Sequence, residues 1–248
     1  MNKKSIDDFY IVAYEWGAEN PTIETWACEK ENAVSLVEEY SGEMYRKEVD
    51  AVPGAFQILN LLSQEECTRF RELSEGVGFI PDAAVSLPRS VRHNDSLTWI
   101  VEDKLHDMIW SRCKDFLYDK KSLFNGKEPL GLNKRFRFYR YAEGDYFSYH
   151  TDGAWPGSAV KSRRVVSDAY GDRFSQMTFL LFLSDDFVGG ETSFLVDEKN
   201  REFVDVRTPL GGVLCFPHGT HPLHCLHASK EILSGSKYII RTDVLYEK

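Results

Sequence analysis

No stretch of the chain is apolar over the ~18 residues that a membrane-spanning helix needs, so no membrane partner is expected. Positive charge is also in short supply. Against 39 Asp and Glu stand 30 Lys and Arg, a formal net charge of −9 with a sequence pI near 5.3. A general binder of nucleic acid or anionic lipid would carry a basic footprint, so no nucleic acid partner is expected either. Cysteines are few and scattered: Cys28, Cys67, Cys113, Cys215 and Cys225, odd in number and with no C-x-x-C pair. That pattern fits buried free thiols in a reducing compartment rather than a disulfide framework, and a cytoplasmic location is the expectation. The start, MNKKSIDDFYIVAYEW, follows two lysines with two aspartates and no apolar core, so a secretory signal is not expected. Internal repeats and low-complexity tracts are missing as well. What remains is a globular chain of 248 residues, 42% hydrophobic and 28% charged. It suits one large domain, or one domain with a small appendage.

The pattern divides near residue 52. In residues 1–52, Phe9–Tyr14 and Thr22–Cys28 are β-rich runs separated by turn residues Gly17, Asn20 and Pro21. Ala33, Val34, Leu36, Val37 and Tyr40 then recur at helical spacing, with Gly42 as a stop. A small strand–strand–helix accessory unit is expected there. Val52-Pro53-Gly54 breaks the chain and opens the main domain, residues 53–248. Phe56–Leu59 reads as a strand. Ser63 and Glu66 form a capping box for a helix that buries Cys67, Phe70 and Leu73 and stops at Gly76. A polar stretch, Pro81–Asp95, precedes a second helix near Glu102–Leu117, striped by Leu105, Met108, Ile109 and Phe116. From residue 135 onward short β runs follow: Arg135–Tyr141, Tyr146–Thr151, Gln176–Ser184, Glu191–Leu195, Glu202–Val206, Gly212–Phe216, Leu223–His227 and Lys237–Tyr246. Helices followed by many short strands predict an α+β protein whose β part is a sandwich or barrel. One connection, Gly153–Arg173, is long and is expected to act as a lid.

Chemistry concentrates in the β part. In His150-Thr151-Asp152, residues i and i+2 of a strand project to one face, so an imidazole and a carboxylate can grip one side of a metal. A second histidine must come from His218, His221, His224 or His227, three residues apart. A zinc cluster including Cys215 or Cys225 lacks finger spacing. The final strand puts Lys237, Ile239, Arg241 and Asp243 on one face. Cations aimed into a barrel are costly unless they meet an anion, and a dicarboxylate co-substrate is such an anion. A 2-His-1-carboxylate site of the kind found in non-haem Fe(II) oxygenases follows.

Three segments carry a closer likeness: RFYRYAEGDYFSYHTD, MTFLLFLSDDFVGGETSF and HASKEILSGSKYIIRTD. In order and spacing, residues 53–248 resemble the prolyl 4-hydroxylase-like Fe(II)/2-oxoglutarate-dependent dioxygenases. The resemblance implies a double-stranded β-helix (jelly-roll) core with flanking N-terminal helices, and its register selects His227. His150, Asp152 and His227 would hold Fe(II), and 2-oxoglutarate and O2 would be co-substrates, with ascorbate as an accessory reductant. Lys237 would pair with the distal carboxylate of 2-oxoglutarate, helped by hydroxyls of Tyr141 and Thr178. Arg241 would share that anchor or pair structurally with Asp243. The implied reaction is hydroxylation of an unactivated C–H bond with release of succinate. The leading target is a prolyl or similar residue of a peptide or protein, and a free amino acid or other small molecule is the alternative. Two departures stand out. Ala228-Ser229-Lys230 follows the distal histidine, and the segments Pro81–Asp95 and Gly153–Arg173 match nothing in the family pattern. Arg92, Asn94, Trp155 and Arg163 in those segments are the candidate substrate contacts. A non-catalytic jelly-roll binding module and a zinc hydrolase are the competing classes; neither would need Lys237.

Overall fold

Strand alternation decides what goes where in this molecule. The computed structural model describes residues 6–84, 87–118 and 123–248; residues 1–5 of the start read for a signal, and positions 85 and 86 of the polar stretch, lie outside it. In chain order come β1 (Phe9–Glu15), β2 (Ile23–Cys28), β3 (Tyr45–Glu48), β4 (Phe56–Leu59), α1 (Gln64–Val77), β5 (Arg92–His93), β6 (Asp95–Ile100) and α2 (Asp103–Cys113). Then follow β7 (Pro129–Leu132), β8 (Arg135–Tyr141), β9 (Tyr146–His150), β10 (Ala159–Lys161), β11 (Arg164–Val166), β12 (Arg173–Phe182) and β13 (Val188–Gly189). The chain ends with β14 (Thr192–Asp197), β15 (Glu202–Val206), β16 (Val213–Pro217), β17 (His227–Ser229), β18 (Ile232–Ser234) and β19 (Lys237–Glu247).

A ten-stranded sheet runs β1-β2-β6-β8-β19-β12-β16-β4-β3, with β7 also on β19, and a five-stranded sheet runs β15-β14-β17-β9-β5. On the large sheet, Phe136, Phe138, Phe179, Leu181 and Ile240 face α1 and α2 in one apolar core. The alternate residues Tyr139, Tyr141, Leu180, Phe182 and Ile239 join Phe194 and Val206 of the small sheet in a second core. The period-2 alternation of β8, β12 and β19 therefore serves two cores at once. The result is a mostly-β, jelly-roll-like pair of sheets with two helices on the outer face. Among the described residues, no helix is long and apolar enough to cross a membrane.

The first 52 residues share this sheet rather than standing off it. β2 pairs in parallel with β6, and β3 pairs antiparallel with β4. The helix expected over 33–40 does not form. Asn32 and Ser35 take left-handed φ values of 48° and 56°, and Asn32 Oδ1 accepts the Leu36 N–H at 2.7 Å. Backbone groups that a helix would use internally go to side chains of the two helices. Arg69 takes the carbonyls of Val34 and Ser35, while Glu66 and Arg112 take the N–H and carbonyl of Val37. Val34 and Leu36 are buried, but as anchors of a turn. Other element ends shift slightly. α1 runs through Gly76 and closes at Gly78, whose φ is 111°. The strand expected over Leu223–His227 starts only at His227, because the chain turns through His221 and Pro222: His224 N–H donates to His221 O at 2.9 Å.

Glu66 is the pivot of the helical layer. Its carboxylate is fully buried and accepts both Arg112 Nη atoms, at 2.8 and 2.9 Å, besides the N–H of Ser63 that completes the capping box. Removing one partner of a buried pair leaves an uncompensated charge, at a cost of about 3–5 kcal/mol. Glu66→Leu should therefore lower unfolding stability by about that amount in chemical denaturation. Glu66→Leu with Arg112→Leu should recover much of it, and a double variant no better than the single one would reject the pairing.

Candidate metal centre and co-substrate pocket

His150 ends β9 and lies directly opposite His227 on β17. Asp152, two residues beyond His150, completes the group: one donor atom from each of the three side chains lies within 4.8 Å of the others. His150 Nε2 is 3.8 Å from Asp152 Oδ1, and His227 Nε2 is 3.7 Å from Asp152 Oδ2. Each imidazole is oriented from behind. Nδ1–H of His150 donates to Ser148 O at 2.8 Å, and Nδ1–H of His227 donates to Cys225 O at 3.0 Å. This fixes the tautomer that turns both Nε2 lone pairs toward Asp152, the usual preparation of a metal-ligating histidine. Burial pushes His150 down to about 4, with His227 adding to the shift, and burial lowers His227 as well, so both rings are neutral donors near pH 7.

Asp152 is the anion of the group. Burial opposes its charge, but Arg241, then His227 and His150, outweigh burial and hold the carboxyl well below its usual range. Arg241 Nε is 3.4 Å from Asp152 Oδ2, and its Nη2 donates to Asp243 Oδ1 at 3.0 Å. A hydrogen-bond relay reaches the same oxygen. Trp155 N–H donates to Ser175 Oγ, the Ser175 hydroxyl serves His218 Nε2, His218 Nδ1–H serves Thr178 Oγ1, and the Thr178 hydroxyl donates to Asp152 Oδ2 at 2.7 Å. Oδ2 is thus occupied by protein donors, and Oδ1 is the less encumbered oxygen.

The triad forms one wall of a cavity of about 180 Å³. At its inner end Lys237 is 1% exposed, and no carboxylate pairs with it among the described residues. Its Nζ donates to Gly190 O at 2.7 Å and to Ser229 Oγ at 2.8 Å, and it lies 5.2 Å from the Tyr141 ring centroid. Burial, reinforced by Arg207, pushes the Lys237 ammonium down to about 7. Tyr141, Thr192 and Ser229 bring hydroxyls to this end, while Leu87, Phe147 and Trp155 form the outer walls. A buried cation without an acid, ringed by hydroxyls and adjacent to two neutral imidazoles and a carboxylate, fits a dicarboxylate chelated to a metal.

Comparison with solved structures bears on the fold that carries this geometry. A viral collagen prolyl hydroxylase from Paramecium bursaria Chlorella virus-1, in a 2-oxoglutarate complex, superposes with a TM-score of 0.53 at 18% identity, over 80% of this chain and 99% of that one. A prolyl hydroxylase from Trichoplax adhaerens, in complex with a peptide fragment of the hypoxia inducible factor oxygen degradation domain, gives 0.52 at 16% identity, over 78% of this chain and 83% of that one. No family model and no curated protein matches the chain. The chain has the prolyl 4-hydroxylase fold.

On that fold the expected site residues separate into groups. His150, Asp152, His227, Lys237, Tyr141, Arg241, Arg92 and Trp155 all line the one cavity. Three expectations are corrected. Thr178 does not point its hydroxyl toward Lys237; it is committed to Asp152 and His218, because β12 places it beside Asp243 of β19, well along the sheet from Lys237. Arg163 lies away from the cavity. The segment expected as a lid folds in part into the hairpin β10–β11, with Ser162 and Arg163 at left-handed φ in its turn, and the Arg163 guanidinium stacks on Tyr10 and pairs with Glu29. Asn94 sits behind Arg92, accepting its Nε–H at 3.1 Å, rather than on the main cavity. Two hydroxyl-bearing residues at the Lys237 end were missed. Ser229 follows His227 by two, the same i, i+2 rule that linked His150 to Asp152, and Thr192 is its direct cross-strand partner. The other three histidines are spent elsewhere: His218 on Thr178 and Ser175, His221 on Leu123 O, and His224 on His221 O.

Loss of an outer partner of a metal ligand typically costs about 10–100-fold in metal affinity. Thr178→Val, which keeps the shape and removes the hydroxyl, should weaken anaerobic Fe(II) binding by about that factor. His221→Ala and His224→Ala should leave it near wild type. Unchanged affinity in Thr178→Val would show that Asp152 needs no such support.

Proposed function

We propose that this protein is an Fe(II)- and 2-oxoglutarate-dependent dioxygenase that hydroxylates an unactivated C–H bond, on a prolyl or similar residue of a peptide. The observation that carries the reading is the pairing, in one cavity, of the His150–Asp152–His227 group with a buried lysine that has no acid partner among the described residues. A zinc hydrolase would use the first and leave the second unexplained. Likeness to two prolyl hydroxylases, one bound to a peptide, supports a peptide target. A free amino acid remains the second reading, favoured by the small volume of the cavity.

His150, Asp152 and His227 would hold Fe(II), which would supply the chemistry that couples decarboxylation of 2-oxoglutarate to insertion of one oxygen atom into the substrate. The chain supplies position and dryness. Lys237 would receive the distal carboxylate of 2-oxoglutarate, with Tyr141, Thr192 and Ser229 directing its oxygens. Leu87, Phe147 and Trp155 shield the reacting carbon from water. Arg241 keeps Asp152 ionised, and the neutral histidines keep the group's net charge at −1, which favours a divalent cation.

The Lys237 assignment gives a pH dependence with a definite sign. A carboxylate binds the ammonium form, and the free protein holds that group near 7. Below pH 7 the lysine is already charged and 2-oxoglutarate affinity should be flat. Above it a proton must be taken up on binding, so affinity should fall by about tenfold per pH unit, 1.4 kcal/mol each. Succinate release titrated with 2-oxoglutarate between pH 6 and 9 reads this directly. Lys237→Met should remove the slope and weaken binding by about 10²–10³, with Fe(II) binding intact. Arg241→Met should instead impair Fe(II) binding. If Arg241→Met lost 2-oxoglutarate while Lys237→Met kept it, the anchor would be the arginine.

A further inference from the structure

The cations in and beside the cavity do not all have a use in the proposed reaction. Arg241 and Arg137 are answered by Asp152 and Asp243, and Lys237 is assigned to the co-substrate. Arg92 is left over. It is on β5, 5% exposed, and lines the cavity on the side of Phe147 and Leu87. Its Nε donates to Asn94, but Nη2 is buried and, among the described residues, has no hydrogen-bond partner. Nor does any carboxylate pair with it. Asp145 is engaged by His93 Nδ1 at 2.6 Å and by Ala142 N–H at 2.8 Å, and Asp95 by Arg140 at 2.7 Å. The guanidinium is nonetheless held in place, 4.3 Å over the Tyr139 ring and 5.5 Å from the Phe147 ring.

A fixed, buried, unanswered guanidinium is costly in the empty protein, and a planar fork is the donor best matched to a carboxylate. Its place is close to the chemistry. Arg92 pairs across β5–β9 with Phe147, whose ring stacks at 3.6 Å on the imidazole of His150. We infer that Arg92 binds a carboxylate of the primary substrate, so that the molecule hydroxylated is an acid gripped one aromatic residue away from the metal group. This rests on the oxygenase reading above and narrows it. The carboxylate is supplied either by a free amino acid or by an acidic side chain next to the target residue of a peptide.

Two arms separate those sources: free L-amino acids against their carboxamides, and N-acetylated, C-amidated proline tripeptides with Asp against Asn beside the proline. The holoenzyme is first assembled anaerobically with Fe(II) and 2-oxoglutarate, and the visible charge-transfer band is recorded. Absence of that band in wild type defeats the oxygenase reading itself. With the band present, succinate release is measured for each probe in wild type, Arg92→Met and Arg92→Lys. The expected result is stimulation by acids in at least one arm, with a KM about 10²–10³ lower than for the matching amide, the factor lost when one partner of a buried ion pair is removed. Arg92→Met should erase that preference, and Arg92→Lys should restore part of it. Because an unpaired buried charge is being removed, Arg92→Met should also match or exceed the wild-type melting temperature of the substrate-free protein. Equal KM for acids and amides, an acid preference that survives Arg92→Met, or a panel silent with the band intact would each overturn the inference. A clear loss of melting temperature in Arg92→Met would do the same, by making the stack on Tyr139 a structural prop.

Discussion

A carboxylate whose side chain is only 8% exposed organises the rest of this structure. Burying Asp152 would ordinarily drive it to the neutral acid, which binds metal poorly. Its ionised form is kept by a second buried ion, Arg241, and that ion needs Asp243, which in turn faces Arg137 with Nη1 at 3.7 Å from Oδ2. Two charges 4 Å apart at an effective dielectric near 20 attract by about 4 kcal/mol, so each member is affordable only with its neighbours in place. The alternation of β8 and β19 puts Arg137, Arg241 and Asp243 on the inner face of the large sheet, and Asp152 comes to meet them from the end of β9. The burial of so much charge inside a β sandwich is therefore one connected solution rather than several separate pairs.

The same strand carries the other end of the cavity, and the contrast between its two cations is informative. Lys237 and Arg241 lie four residues apart on one face of β19, about 13 Å along an extended chain. Arg241 contacts two carboxylates and is held above its usual range by Asp152 and Asp243 against the opposing effect of burial. Lys237 has only neutral acceptors and is pushed down. Charge balance thus separates the two: Arg241 offsets the carboxylates of Asp152 and Asp243, while Lys237 has no acid partner among the described residues.

Much of this was legible in the sequence, because it depends on alternation. The i, i+2 rule found His150 with Asp152 and the inner face of β19, and the capping box of α1 was visible in Ser63 and Glu66. The register of the family resemblance selected His227 among four histidines, at an identity to known structures of only 16–18%. What escaped depends on partners distant in sequence. The resemblance gave the Thr178 hydroxyl to 2-oxoglutarate, but it is claimed by Asp152 and His218, which no local pattern reveals. The turn at 33–40 has helical apolar spacing; Glu66, Arg69 and Arg112 withdraw its backbone groups from a helix. Arg163 looked exposed and functional, and its attraction to Glu29 and Tyr10 arises only once the hairpin packs on β1.

The lysine end shows how a fold can hold a cation ready without satisfying it. Gly189 and Gly190 turn at φ values of 77° and 68°, and a Cβ on either would meet Glu231 O at 2.3 Å or Ile232 Cδ1 at 2.4 Å. Only glycine brings the Gly190 carbonyl to Lys237. Arg207 clamps the same turn by donating to the carbonyls of Asp185, Phe187 and Gly189. Hydrogen bonds that the ammonium donates to Gly190 O and Ser229 Oγ orient it but supply no countercharge, and Arg207 adds repulsion. The side chain is thus preorganised at a standing electrostatic cost. In the proposed reaction an arriving carboxylate meets donors already aligned, and relief of that cost adds to its affinity. The rigidity of the Gly-Gly turn is then a requirement of the site, since a looser turn would let Lys237 escape toward water and lose the tension on which recognition depends.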